Sequence, residues 1–305
     1  MKYALIAIGI AAASIQPQDP TPAAAGRLTL DVVAVDRAGA PVRDLKPDEL
    51  EVWIGGYRVP LEDVAFVAPD TTGRTVVLIL DNFAVGPEMA QRVREAARFF
   101  ADKVTAADRL AIVPLSGSRA DFTSERASLL RAIDTYRPQG FPFRIDDAGQ
   151  HVLRTLTTLA RQMPETLPGR RIHVVAIGAG WMFDRPLPPP GSTRNLHADW
   201  VAAMRAMAAA NISLYVIDPA GLGMAPIAVD GGKNGFAYET GGHAFMNTND
   251  IKGVVDRIWA ESGTYYLLRV ADPPVQRNAD LREADVRVLR KGVTIRARRG
   301  IPGRR

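Results

Sequence analysis

The chain has 305 residues, 38 Lys+Arg against 33 Asp+Glu (net +5), 47% hydrophobic residues and no cysteine. That length suggests about two domains, and the composition suits a packed core rather than disorder. Without Cys there is no disulfide, Cys-based zinc site, iron–sulfur cluster, thiol nucleophile or lipid-modified cysteine.

Lys2 followed by the apolar run Tyr3–Ala13, with Ala11-Ala12-Ala13 as a small-residue cleavage site, predicts a secretory signal over residues 1–13. The run is shorter than the ~20 apolar residues that span a bilayer. Residues 14–26, rich in Pro and Ala, form a linker. The expected mature protein is periplasmic or secreted, with no transmembrane anchor.

Residues 27–68 predict a small β segment. Leu28, Leu30, Val32 and Ala34 lie on one face and Thr29, Asp31 and Val33 on the other, as in a half-buried strand. Arg37–Pro41 is a turn, Pro47 opens one helical turn, and Glu51–Ile54 and Tyr57–Val67 are extended. Pro69–Gly73 is a linker.

Over residues 74–262 the pattern changes. Thr75–Leu80, Arg109–Leu115, Arg171–Ile177 and Ile212–Ile217 are continuous apolar runs, as in strands buried on both faces, and Gly241–Phe245 is a short fifth. Helices are expected at Pro87–Val104, Ser124–Tyr136 (Ser124 as N-cap), Asp146–Met163, His197–Ala210 and Asp250–Glu261. The fold class is therefore α/β, a doubly wound, mainly parallel sheet.

Residues 263–302 return to period two. Tyr265–Val270 is a strand, and Ala284–Leu289 with Val293–Arg298 form a hairpin-like pair around Arg290-Lys291-Gly292. Two β segments with few strands each are expected to pack together as a flanking β-sandwich-like unit.

Ligands of open α/β sheets bind beyond the carboxyl ends of the strands. Gly178-Ala179-Gly180 follows a strand there, but the third glycine of G-x-G-x-x-G would fall at Phe183, and there is no Walker loop. His151, His173, His197 and His243 are isolated, without metal-ligand spacing, and His173 fits a satisfied core position. No G-x-S-x-G elbow surrounds Ser116 or Ser118.

Asp81 is different: it ends the first central strand, where a carboxylate meets solvent. Here the sequence resembles the von Willebrand factor A-related exported proteins of the Acidobacteria type. The resemblance runs from VVAVDRAGAPVRDLKPDELEVWIGG through VVLILDNF, ISLYVIDPAGL, FAYETGGHAF and NTNDIKGVVDRI to YYLLRV and VRVLRKGVTIRARRGI. It implies a Rossmann-like α/β fold with a metal-ion-dependent adhesion site. In that site D-x-S-x-S, a loop Thr and a second strand-end Asp hold Mg²⁺ for an acidic group of a partner. Here the motif positions are Asp81-Asn82-Phe83-Ala84-Val85, the Thr loop falls near Gly140–Phe143 and the second Asp near Gly178-Ala179. Six oxygen ligands are not supplied, so no metal is expected, and any Mg²⁺ would sit at Asp81.

The same edge is expected to gather Phe83, Phe141, Phe143, Trp181, Met182 and Phe183 under the proline-rich stretch Arg185–Thr193. Such a rim suits contact with a protein or envelope polymer, and the expected partner-binding residues are Asp81, Asn82, Phe83, Ser116, Phe143 and Trp181. The charge is uneven: Arg282–Arg305 holds nine basic residues against Glu283 and Asp285, a local +7. Arg287, Arg296 and Arg298 are expected on a solvated strand face that could meet an anionic surface. Nucleic acid is not expected, because no basic–aromatic stacking pattern occurs. The expected function is an exported, non-catalytic binding or scaffold module with a degenerate, metal-free adhesion site and no cofactor. The alternatives are a remodelled Mg²⁺ adhesion site at Asp81 and an envelope serine hydrolase using Ser116 or Ser118.

Overall fold

The computed structural model describes residues 27–68, 73–117, 119–140, 148–166, 171–178, 196–222, 235–274, 276 and 279–303. Three sheets organise them. The central one is parallel and contains β5 (Thr75–Leu80), β6 (Arg109–Pro114), β7 (Ile172–Ile177), β8 (Ile212–Ile217) and β9 (Ala244–Phe245). Its spatial order is β6-β5-β7-β8-β9. β5, β7 and β8 are buried at every position, which is why their sequences show no polar alternation.

Helices cover both faces. Val93, Ala97 and Phe100 of α1 (Pro87–Ala101), Leu129 and Ile133 of α2 (Arg126–Thr135), and Val255 and Ile258 of α6 (Ile251–Gly263) pack on one face. Leu153 and Leu156 of α3 (Ala148–Thr166), Trp200 and Met204 of α4 (His197–Ala209), and Phe236 of α5 (Phe236–Thr240) pack on the other. The unit is a doubly wound α/β layer structure. Helix α2 begins without a side-chain cap. Ser124 is not its N-cap: Glu125 holds that position, and the Thr123 hydroxyl accepts the Glu125 N–H. By contrast, Asp250 caps α6 by accepting the Gly253 N–H at 2.8 Å.

The chain flanking this unit forms two antiparallel four-stranded sheets. One, in the order β12-β1-β10-β4, joins β1 (Arg27–Val35), β4 (Leu61–Val67), β10 (Tyr265–Ala271) and β12 (Thr294–Ala297). The other, β13-β11-β2-β3, joins β2 (Leu50–Ile54), β3 (Tyr57–Val59), β11 (Leu281–Val288) and β13 (Gly300–Pro302). Leu30, Val32, Val52, Ile54, Leu268, Val270 and Val286 share one core between them, so the two sheets form a small sandwich. Both sheets mix strands from before and after the α/β unit. Tyr265 pairs with Val67, so the whole α/β unit is inserted between two neighbouring antiparallel strands.

The hairpin expected from Ala284–Leu289 and Val293–Arg298 does not form. β11 pairs with β2 and β13, while β12 pairs with β1 in the opposite sheet. The Arg290-Lys291-Gly292 turn, with Gly292 at φ +79, carries the chain from one sheet to the other. Two alternating strands beside a turn cannot be told from a hairpin by periodicity alone. Among the described residues no helix is long and apolar enough to cross a membrane.

Candidate functional site

The strand order reverses between β5 and β7, where the connections leave to opposite sides of the sheet. Such a switch point opens a crevice at the carboxyl ends, and it lies between Asp81 and Gly178. Asp81 fills it. The residue is 0% exposed, and its Oδ1 accepts the N–H groups of Phe83 at 2.9 Å and Ala84 at 3.0 Å. Its side chain leans over Gly178: a Cβ built there would lie 2.4 Å from Asp81 Cβ. The backbone around it is also tied. Asp81 N–H donates to the Ile177 carbonyl, and the buried Tyr136 hydroxyl donates to the Asp81 carbonyl at 2.7 Å.

Phe83 and Val85, at the positions the resemblance aligns with the motif serines, are anchors. Phe83 packs into the core under α3 and α4, and Val85 into the core under α1. The loop therefore pins the end of β5 to both helical layers. Asn82 is 1% exposed and stitches β5 to β6: its Nδ2 donates to Ser116 Oγ at 2.9 Å, and its Oδ1 accepts the Ser116 N–H at 3.1 Å. Gln139 N–H donates to the Asn82 carbonyl at 2.7 Å.

Among the described residues the oxygens that a hard cation requires are not gathered at Asp81. Such a cation needs six or more oxygens, whereas Asp81 stands against two amide donors, the Asn82 oxygen holds a backbone N–H, and the remaining motif side chains are hydrocarbon. Among the described residues no three His, Asp or Glu converge on a possible metal position. Asp218, at the end of β8, caps its own turn by accepting the Ala220 N–H at 2.8 Å, and burial raises its carboxyl above the usual range. Ser116 Oγ faces the Asn82 amide, a donor that cannot take a proton, so this contact does not activate it as a nucleophile.

Of the expected partner-binding residues, Asp81, Asn82 and Ser116 thus come together. Asp81, Asn82 and Phe83 (4% exposed) are interior groups and cannot form a contact rim; Ser116 is exposed. Phe143 and Trp181, with Phe141, Met182, Phe183, Ser118 and the Arg185–Thr193 stretch, lie outside the described residues.

The basic face is corrected more sharply. Arg296 points inward to the fully buried Glu261 at 2.5 Å, with 13% of its side chain exposed. The Arg298 guanidinium also points inward and donates to the Ile212 carbonyl, and burial pushes it down to about 10. Only Arg287 is at the surface, over the Trp53 ring at 4.7 Å and paired with Asp285 at 2.8 Å. Other basic residues of this stretch are spent similarly. Arg282 is buried against Asp272 at 2.6 Å. Arg290 grips Asp44 and Glu49, holding the Glu49 carboxyl down at about 2, and Arg299 reaches Asp285. The spacing of charges on β12 was consistent with a solvated face, but the second layer facing it is a protein surface bearing its own carboxylate.

His173 is buried, as its apolar strand implies. Burial, then the Arg171 and Arg74 charges, lower it well below the ordinary imidazole range. The resemblance placed Gly178 at the Asp81 edge, but nothing in the sequence pointed to Tyr136, which lies far from Asp81 along the chain.

No protein-family model matches the chain, and no curated protein matches it. Among solved structures it is similar to the pilus adhesin SpaC from Lactobacillus rhamnosus GG in its open conformation. The identity is 8%, the TM-score 0.40, and the match covers 86% of this chain and 48% of that one. It is also similar to the human COPII-coat protein Sec24c, at 10% identity and TM-score 0.34 over 82% of this chain and 48% of that one. A secreted C11 cysteine protease from Bacteroides thetaiotaomicron matches 48% of this chain and 46% of its own, at 8% identity and TM-score 0.23. The chain spans about half the length of the solved structures it matches.

Proposed function

We propose that the chain is an exported, non-catalytic binding or scaffold module of a bacterial cell envelope. In this proposal it is built on a von Willebrand factor A-type α/β unit that has lost its metal-dependent adhesion site. The observation that carries the proposal is the fate of the D-x-S-x-S segment. Its carboxylate is buried under two amide donors in the space left by Gly178, and its hydroxyl positions are occupied by Phe83 and Val85, which belong to the core. A site kept for a cation needs several oxygens converging on one point. Here the same positions lock the end of the sheet. The remaining outward-facing group of the set is Ser116, and partner contact would fall on it.

The test is binding of the immobilised protein to solubilised envelope proteins and to isolated envelope polymer, with Mg²⁺ or with EDTA. Saturable binding that is equal in both buffers and weakened about tenfold by Ser116→Arg supports the proposal. Binding abolished by EDTA restores the Mg²⁺ alternative. Absence of saturable binding to either fraction overturns it. Asp81→Ala separates the roles further: loss of the two amide contacts should cost about 1–3 kcal/mol of stability, by an amount that Mg²⁺ does not change.

A further inference from the structure

At the junction of the sandwich and the α/β unit, Arg296 and Arg299 are ion-paired, whereas two other arginines that border one cavity have no ion pair among the described residues. A cavity of about 350 Å³ lies there, beside β9 and apart from the Asp81 crevice. Arg37, Arg257, Arg296, Arg299, Tyr238 and His243 contribute to its wall. Arg296 is cancelled by Glu261, and Arg299 by Asp285. The cavity's two carboxylates are both in use. Asp36 Oδ1 accepts the N–H groups of Ala38 and Ala40 at 2.8 and 2.9 Å, and Asp285 holds Arg287 and Arg299. Among the described residues neither Arg37 nor Arg257 has a carboxylate within ion-pair reach. Two guanidiniums therefore border a concave space without a counter-charge.

We propose that this junction cavity binds a small organic anion through Arg37 and Arg257, by the carboxylate or phosphate group of a metabolite-sized molecule. The volume lies within the range of small-molecule sites, which favour such junctions. Guanidinium forks match both kinds of oxyanion. The scaffold holds one of them in place. Gly39, at φ +82, leaves the space that Arg257 occupies: a Cβ there would be 2.7 Å from Arg257 Nε. The Arg257 guanidinium also lies 5.7 Å from the Phe245 ring centroid. His243 reports the local field. Burial of part of its ring, then the Arg296 and Arg257 charges, push its imidazole down to about 4, so at neutral pH it adds a neutral hydrogen-bonding edge. The proposal does not depend on the fate of the Asp81 loop, and either can fail alone.

The test is calorimetric titration of the full chain with succinate and with glycerol 3-phosphate, at fixed ionic strength, with succinamide and glycerol as neutral controls. One molecule of at least one anion should bind per chain, and the preferred anion separates the carboxylate from the phosphate source. Arg37→Gln and Arg257→Gln should each weaken binding tenfold or more. In the unaltered protein the His243 ring resonances should move in step with occupancy, which needs no variant to fold. The proposal is overturned if neither anion binds, if binding equals that of chloride at the same ionic strength, or if it survives both substitutions together.

Discussion

Glu261 offers the most direct test of how the two units hold together. It lies on α6, is 0% exposed, and meets Arg296 of β12 at 2.5 Å across the junction. Glu261→Gln keeps the shape and removes the charge, leaving Arg296 largely enclosed without a counter-ion. Two unit charges with centres ~4 Å apart attract by about 4 kcal/mol at an effective dielectric of ~20. Removing one member of a buried pair typically costs about 3–5 kcal/mol. Because 13% of the Arg296 side chain still reaches the cavity, the lower end applies, about 3 kcal/mol. At about 2 °C per kcal/mol for a chain of this size, melting should fall by about 6 °C. Urea unfolding followed by far-ultraviolet circular dichroism measures the free-energy change directly. The double variant Glu261→Leu with Arg296→Met should recover most of the loss, since an apolar pair of similar volume removes both desolvation costs. A Glu261→Gln cost below about 1 kcal/mol, or a double variant no better than the single, would refute the argument that this ion pair is a structural joint.

Two further outcomes follow from buried groups elsewhere. Gly178→Ala places a methyl 2.4 Å from Asp81 Cβ, so it should destabilise by about 1–3 kcal/mol in the native sequence and by clearly less in an Asp81→Gly background, measured as a double-mutant cycle. For His173 the folded-state pKa is depressed, so below the ordinary value of 6.5 the unfolded chain binds the extra proton and stability falls as pH falls. The slope from this one group is about 1.4 kcal/mol per pH unit below pH ~6.5. Urea midpoints measured at several pH values should show that much less slope in His173→Phe; an unchanged slope would exclude His173 as its source.

Much of the layer structure was legible in the sequence because it depends on local period. β5, β7 and β8 announce burial on both faces by unbroken apolar runs, and α1 announces one buried face by Val93, Ala97 and Phe100 at helical spacing. The failures share a cause. Arg296 and Arg298 occupy outward positions of a β pattern, and a pattern does not say whether water or a second protein layer lies beyond. The sheet partner of β12 is β1, more than two hundred residues away, and the carboxylate that receives Arg296 is on α6. At the Asp81 edge, the sequence offered one carboxylate followed by Phe83 and Val85, where the resemblance expects hydroxyls. The resemblance put Gly178 at the same edge, but the hydrogen bond from Tyr136 and the room that Gly178 leaves for the Asp81 side chain are visible only in the closed fold.

The chain order carries one more consequence. β4 ends at Val67, β10 begins at Tyr265, and these two residues are antiparallel partners, so the α/β unit occupies the place of a hairpin turn in the sandwich. Before it folds, the strands on either side are separated by a long flexible loop whose closure opposes their pairing; afterwards its fixed ends present them together. Closing the same strands with a two-residue Asn-Gly turn in place of residues 68–264 removes that loop cost. It also frees Arg296 from Glu261 and exposes it to water, where it needs no partner. The shortened chain should therefore fold cooperatively on its own, through the core of Leu30, Val52, Ile54, Leu268 and Val286. Dispersed amide resonances and a single urea transition would show this. A chain that stays unfolded, while the full-length protein unfolds in one step, would mean that the Glu261 joint and the packing of Leu281 against the α/β core contribute stability that the sandwich lacks by itself.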